Sequence, residues 1–278
     1  MSTIPFTKMH GLGNDFVVID ARTRRLALSP AQAQALADRH TGVGCDQVIV
    51  VEPAADGRGD AFMRIFNADG GEVAACGNAT RCVARMLLSE KARERVRIAT
   101  AAGLLEAAAD GDGRITVDMG LPRTGWRDIP LARAMDTLHL PIQVGALADP
   151  VAVSLGNPHA VFFVTDAEAV PLATLGPEVE HHPLFPDATN VEVATVLSPE
   201  RIRLRVWERG VGITRACGTG ACAAVVAGRR RGLTGDTVEV VLDGGSLMIA
   251  VAADGRVRMT GPTAVSFTGQ IELPRPAG

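Results

Sequence analysis

Short apolar runs bounded by charged or turn-forming residues recur along most of the chain. Phe16-Val-Val-Ile-Asp20 and Val48-Ile-Val-Val51 are brief and rich in β-branched side chains, which predicts strands. Ser29-Pro30 predicts a helix start, with serine as N-cap and proline at the first helical position. Phe62–Phe66 reads as a further strand, and the turn at Cys76-Gly77 opens an apolar-faced helix to about Lys91. Strands then flank the turn Asp110-Gly-Asp-Gly113, and Pro122 with Gly125 marks a boundary between two halves.

The second half repeats this plan. Strands are predicted at Val151–Ser154, Ala160–Val164, Val191–Val196 and Arg201–Trp207, then a helix from about Gly218 to Arg231. Hairpin turns follow at Asp243-Gly-Gly245 and Asp254-Gly255. Val265–Ile271 is one strand more than the plan contains, and it is free to close the sheet of the first half.

The residues repeat as well as the pattern. Aligned on cysteine, Met63–Cys82 and Leu204–Ala223 match at Arg64/Arg205, Gly71/Gly212, Ala75/Ala216, Cys76/Cys217 and Gly77/Gly218. Leu12-Gly13-Asn14 answers Leu155-Gly156-Asn157, Gln47 answers Asn190, and Asp112-Gly-Arg114 answers Asp254-Gly-Arg256, all at nearly the same spacing. An ancient duplication accounts for this. It predicts two domains, 1–119 with 266–278 and 120–265, facing one another about a pseudo-twofold axis with one Cys-Gly each in a shared cleft.

Composition narrows the partners. A net charge of −3 gives no reason to expect nucleic acid or a membrane surface, which leaves a small molecule. No apolar stretch approaches the about 18 residues of a membrane span, so a cytoplasmic protein is expected. Five cysteines are too few, and odd in number, for a disulfide framework. Their C-x5-C and C-x4-C spacings lack the usual zinc knuckle, so no metal is expected.

Cysteine immediately before a helix has chemical uses. The partial positive charge and free N–H groups of a helix N terminus lower a thiol's pKa and can hold a carboxylate. Two such ends would grip one carboxylate and set a sulfur on either side of the adjacent carbon. One thiolate then removes the Cα proton and the opposite thiol delivers another to the far face. Cys45, Cys82 and Cys222 lack this setting and read as small buried hydrophobes.

Several separated motifs carry a resemblance over essentially the whole chain: His10-Gly-Leu-Gly-Asn-Asp-Phe16, Gly44-Cys-Asp-Gln47, Phe66-Asn-Ala-Asp-Gly70, Ala75-Cys-Gly-Asn78, Gly156-Asn-Pro-His159, Thr189-Asn190 and Glu208-Arg-Gly-Val-Gly212 through to Ala216-Cys-Gly-Thr-Gly220. The chain resembles the diaminopimelate epimerases. It departs from their frequent pattern at Ala79-Thr80, Trp207 and Ile213, none of which is a reacting group.

The resemblance implies a two-domain α+β fold, each half a mixed sheet curled around a central helix, with the active site in the cleft between. It implies a homodimeric, cofactor-independent epimerase that interconverts LL- and meso-2,6-diaminoheptanedioate on the route to lysine and cell-wall precursors. Carried over by position, Cys76 and Cys217 are the acid/base pair. Gly77, Asn78, Gly218 and Thr219 hold the reacting carboxylate, and His159 and Glu208 attend the reacting amine. Asn14, Asn67, Asn157, Asn190 and Arg209 read the distal end, with Gln47 nearby.

The residue types suit a ligand with two zwitterionic ends: neutral amides plus one planar cation for a carboxylate. Two alternatives stand beside this. A proline racemase or hydroxyproline epimerase would use the same cysteines but has no need of distal readers such as Asn190 and Arg209. A non-catalytic binding protein for a dicarboxylic amino acid would need neither cysteine.

Overall fold

The computed structural model describes residues 3–55, 57–91 and 93–273. Residues 1–2 and 274–278, the extremes of the expected first domain, lie outside the described residues. The chain divides into two compact units, Met1–Val117 with Gly261–Gly278, and Asp118–Thr260.

The first unit contains β1 (Thr3–Gly11), β2 (Asn14–Asp20), α1 (Pro30–Ala37), β3 (Gln47–Glu52), β4 (Ala61–Asn67), β5 (Glu72–Val73), α2 (Gly77–Lys91), β6 (Arg95–Thr100), β7 (Gly103–Ala109) and the start of β8 (Ile115–Gly120). β1–β2 pair antiparallel, β2–β3 parallel, β3–β4 antiparallel, β4–β6 parallel, and β6–β7–β8 antiparallel, with β5 as a short antiparallel partner of β4. α2 lies against β1, β2, β6 and β7, while α1 covers β3 and β4. α2 backs β2 and α1 backs β3, and successive side chains in the middle of both strands are buried, so their apolar runs are continuous rather than alternating.

The last strand, Ala264–Glu272, runs antiparallel to β1 from Thr3↔Glu272 to His10↔Ala264, so this unit is discontinuous in sequence. β1 itself was not assigned to any element from sequence. Its Ile4 and Phe6 are buried in the core while Thr3 and Pro5 are exposed, and the strand pairs along both edges, with β2 and with the last strand.

The second unit holds β9 (Gln143–Val144), β10 (Leu147–Ala148), β11 (Val151–Ser154), β12 (Pro158–Phe163), α3 (Leu172–Glu180), β13 (Asn190–Ser198), β14 (Arg201–Glu208), β15 (Gly212–Thr214), α4 (Gly218–Arg230), β16 (Thr237–Leu242), β17 (Gly245–Val251) and β18 (Val257–Gly261). From β11 to β17 its pairings follow the first unit step for step. They run antiparallel, parallel, antiparallel with a short β15 beside β14, parallel to β16, then antiparallel to β17 and β18. α4 takes the place of α2, against β11 to β14, β16 and β17. Small side chains on every face, Ala221, Ala223, Ala224 and Val225 among them, let the stretch from Gly220 to Gly228 lie buried.

Local chemistry sets the ends of α1. Ser29 accepts from Gln32 N and Gln32 Oε1 accepts from Ser29 N, a reciprocal cap. α3 has no such signal. Its N-cap is Pro171 and it contains Pro177, and it forms because Leu172, Leu175 and Val179 are buried in the core beside Phe162, Val191 and Val193. Tertiary burial overrides propensity there. No helix among the described residues is long and apolar enough to cross a membrane.

Candidate active site

Hairpin turns place the first pair of asparagines. Leu12 (φ 58°) and Gly13 (φ 84°) both adopt positive φ between β1 and β2, the turn geometry that matches the twist of a two-strand hairpin. Asn14 follows at the head of β2, and Asn157 stands directly ahead of β12 after Gly156 at φ 98°.

In the first unit, Asn78 in the first turn of α2 donates from Nδ2 to Asn14 Oδ1 (3.1 Å), and Asn14 Nδ2 donates to Asp46 Oδ2 (2.8 Å). Asp15 fixes the loop from below: Arg39 Nη2 lies 2.8 Å and Lys8 Nζ 2.6 Å from its carboxylate. Burial raises the Asp15 pKa, but the hydrogen bonds from Arg39 and Lys8 outweigh it and hold the carboxyl well below the usual range. Gln47 Nε2 donates to Asn67 Oδ1 (2.9 Å) across β3 and β4. Cys76 precedes Gly77 at the start of α2, and its carbonyl accepts from Thr80 N and Thr80 Oγ1.

In the second unit Cys217 is itself the N-cap of α4, with Gly220 N donating to Sγ at 3.4 Å and Thr219 Oγ1 at 3.5 Å. Asn157 Nδ2 donates to Thr219 Oγ1 (3.3 Å), while Asn157 Oδ1 lies 3.0 Å from His159 Nε2. His159 Nδ1 is 2.7 Å from Glu192 Oε1, and both side chains are fully buried. Glu208 accepts a hydrogen bond from Thr214 Oγ1. Asn190 is committed to backbone: Nδ2 donates to Pro158 O (2.8 Å) and Oδ1 accepts from Arg209 N (2.9 Å). Arg209 is exposed, with Nη1 donating to Asp187 O (3.0 Å).

One expectation fails at Cys217. Its helix position predicts a lowered pKa, yet burial first, then the neighbouring acids Glu208 and Glu192, push the thiol well above its ordinary value. The Thr219 hydroxyl and Gly220 N–H oppose this and are outweighed. Cys217 is therefore held as a thiol. Burial also raises Glu208, against hydrogen bonds from Thr214 and Cys217, and raises Glu192, against His159. Cys45 and Cys82 fit buried hydrophobes, their thiols pushed up to about 11 and about 12 by burial.

Glu192 was not singled out from sequence. A signal existed: an acidic residue inside the apolar run Val191–Val196 must be paired or protonated when both faces of the strand are covered. Because its folded pKa is raised, the folded state binds more protons than the unfolded chain above about pH 4.3, and this group's contribution falls as pH rises. Glu192→Gln removes that dependence. The difference in Tm between the variant and the wild type, measured by thermal denaturation, should therefore shift in favour of the variant between pH 5 and pH 9. A constant difference would mean that the carboxyl is not held protonated.

A duplicated α+β fold with a Cys-Gly pair opening each central helix defines an isomerase of the amino-acid racemase and epimerase class. Hydroxyproline epimerase from Agrobacterium vitis shares the fold at TM-score 0.70, with 19% identity over 98% of this chain and 91% of that one. The Bacillus anthracis phenazine biosynthesis protein does so at TM-score 0.70, with 16% identity over 98% and 100%. The family model for diaminopimelate epimerase matches residues 6–124 and 151–265. Diaminopimelate epimerase of Rhodospirillum centenum is 59% identical over 96% of this chain and 91% of its own. That of Erythrobacter litoralis is 56% identical over 97% of each. The chain belongs to the diaminopimelate epimerase family.

Proposed function

We propose that the protein inverts one α-carbon of LL-2,6-diaminoheptanedioate to give the meso isomer, and catalyses the reverse, without a cofactor. The repeat of Cys76-Gly77 and Cys217-Gly218 at the heads of two equivalent helices is the observation that carries this. In one direction the Cys76 thiolate takes the Cα proton, leaving a planar carbanion, and the Cys217 thiol protonates the opposite face. Cys76 ends as thiol and Cys217 as thiolate, and the return reaction restores them.

The other groups follow from charge. The backbone N–H groups at the heads of α2 and α4, at Gly77, Asn78, Gly218 and Thr219, suit the reacting carboxylate as negative charge builds beside it. His159 and Glu208 attend the reacting amine. Asn14, Asn67, Asn157 and Arg209 serve the distal amino-acid end, Asn190 by holding the Arg209 backbone and Gln47 by holding Asn67. Incubation with the LL isomer and chromatographic separation of products should show approach to a mixture of LL and meso from either side. Absence of meso product, or an equal reaction with proline, would contradict the proposal.

We place the protein in the cytoplasm as a homodimer. Free cysteines suit a reducing compartment. Val265 and Phe267 are exposed on the last strand of the first unit, Phe267 meeting Phe6 edge-on at 6.0 Å, an apolar surface a second copy could cover.

A further inference from the structure

A line of polar atoms runs through the second unit from a buried acid to the catalytic sulfur. Its links are Glu192 Oε1 to His159 Nδ1 (2.7 Å), His159 Nε2 to Asn157 Oδ1 (3.0 Å), Asn157 Nδ2 to Thr219 Oγ1 (3.3 Å) and Thr219 Oγ1 to Cys217 Sγ (3.5 Å). The roles given to His159, Asn157 and Thr219 by the proposed function leave Glu192 without one. Glu192 comes from β13, His159 from β12, and the remaining titratable groups beside them are Glu208 on β14 and Cys217 at the head of α4.

Counting protons gives the line a direction. Asn157 donates to Thr219 through Nδ2, so its Oδ1 faces His159 and can only accept. Nε2 must therefore carry hydrogen. One further proton is shared between Nδ1 and Glu192 Oε1, because two lone pairs at that distance would repel. Glu192 Oε2 is buried with no hydrogen-bond partner among the described residues, a poor setting for a bare carboxylate and a tolerable one for a carboxylic acid. With Thr219 Oγ1 accepting from Asn157, its own hydrogen is free to point at Cys217 Sγ. Were Nε2 bare, Asn157 would turn its amide over, Thr219 would donate to Asn157, and the sulfur would lose that donor.

The fold keeps room for this acid under the helix. A Cβ on Gly220 would lie 2.8 Å from Glu192 Oε1, so glycine there lets the carboxyl tuck beneath the first turn of α4.

We propose that Glu192 is a positioning residue that holds His159 with its proton on Nε2 and so aims the Thr219 hydroxyl at Cys217, stabilising the thiolate formed whenever Cys217 gives up its proton. This role rests on the epimerase function proposed above. Glu192 acts only through His159.

Nitrogen-15 spectra of the His159 ring, assigned by the signals lost in His159→Gln, read the tautomer directly and need no turnover. Wild type is expected to show Nε2 protonated. In Glu192→Leu the ring should shift to the other tautomer or a mixture, kcat should fall by about 10- to 100-fold with KM changed less, as for other residues that orient a ligating histidine, and the pH profile of kcat should move. Glu192→Gln, which still presents an N–H to Nδ1, should restore the Nε2-protonated ring and most of the lost kcat. A Leu variant with the wild-type spectrum and rate, or a Gln variant as impaired as the Leu variant, overturns the proposal. Should the Leu variant fail to fold, the Gln variant decides alone: an Nε2-bare ring, or a fall in kcat of the size predicted for Leu, overturns it. A wild-type protein that does not epimerise overturns the function and this role together. An epimerising protein whose His159 carries its proton on Nδ1 alone overturns this role and leaves the function standing.

Discussion

Cys76→Ala and Cys217→Ala are each expected to lower kcat for epimerisation by at least about 10²–10⁴-fold, the usual worth of one positioned acid or base. Each variant removes the proton carrier of one face. The fold should survive. Cys217 contributes weak bonds from Gly220 N and Thr219 Oγ1 at 3.4 and 3.5 Å, and alanine fits its buried position without overpacking. Thermal denaturation beside steady-state rates checks both halves of this expectation. A single variant keeping more than about a tenth of wild-type turnover would contradict a scheme that needs both sulfurs.

Arg209→Met is expected to erase most of the discrimination between diaminopimelate and lysine. In the wild type, a bound substrate that covers Arg209 but lacks the distal carboxylate leaves the guanidinium unpaired and partly desolvated, at a cost of about 2–5 kcal/mol, or roughly 30-fold to several thousand-fold in kcat/KM. The geometry allows this reach. The Arg209 backbone is pinned by Asn190 Oδ1, whereas its exposed guanidinium spends Nη1 on the Asp187 carbonyl and has further donors to offer. Steady-state kinetics on both compounds decides it, and unchanged discrimination would make Arg209 a structural arginine.

The duplication was legible because it repeats chemistry as well as pattern. Cys-Gly at two helix starts and Leu-Gly-Asn at two hairpin turns survive where most side chains differ, and the strand pairings of the two units run in the same succession. Elements with strong local signals were equally clear. α1 has its reciprocal cap, and the central helices run Gly77–Lys91 and Gly218–Arg230, within a residue of their expected limits.

What sequence did not reveal depends on tertiary surroundings. α3 contains a proline and lacks a side-chain cap, so nothing local announces it, and burial of Leu172, Leu175 and Val179 makes it form. The acidic character around Cys217 was also hidden. Helix position argues for an easily ionised thiol, but Glu192 and Glu208 come from two other strands, and only folding brings these acids and the burial they share to the sulfur. Asn190 shows the same dependence: the sequence offers an amide, and the structure spends both its ends on Pro158 and Arg209 backbone.

Early turnover of the LL isomer in heavy water tests the two-cysteine account most directly. Two carriers on opposite faces predict that each meso molecule formed at low conversion carries one solvent deuterium at the inverted carbon, while recovered LL substrate keeps its original hydrogen. Meso product retaining the substrate's own hydrogen would point to a single base serving both faces, and would contradict the account.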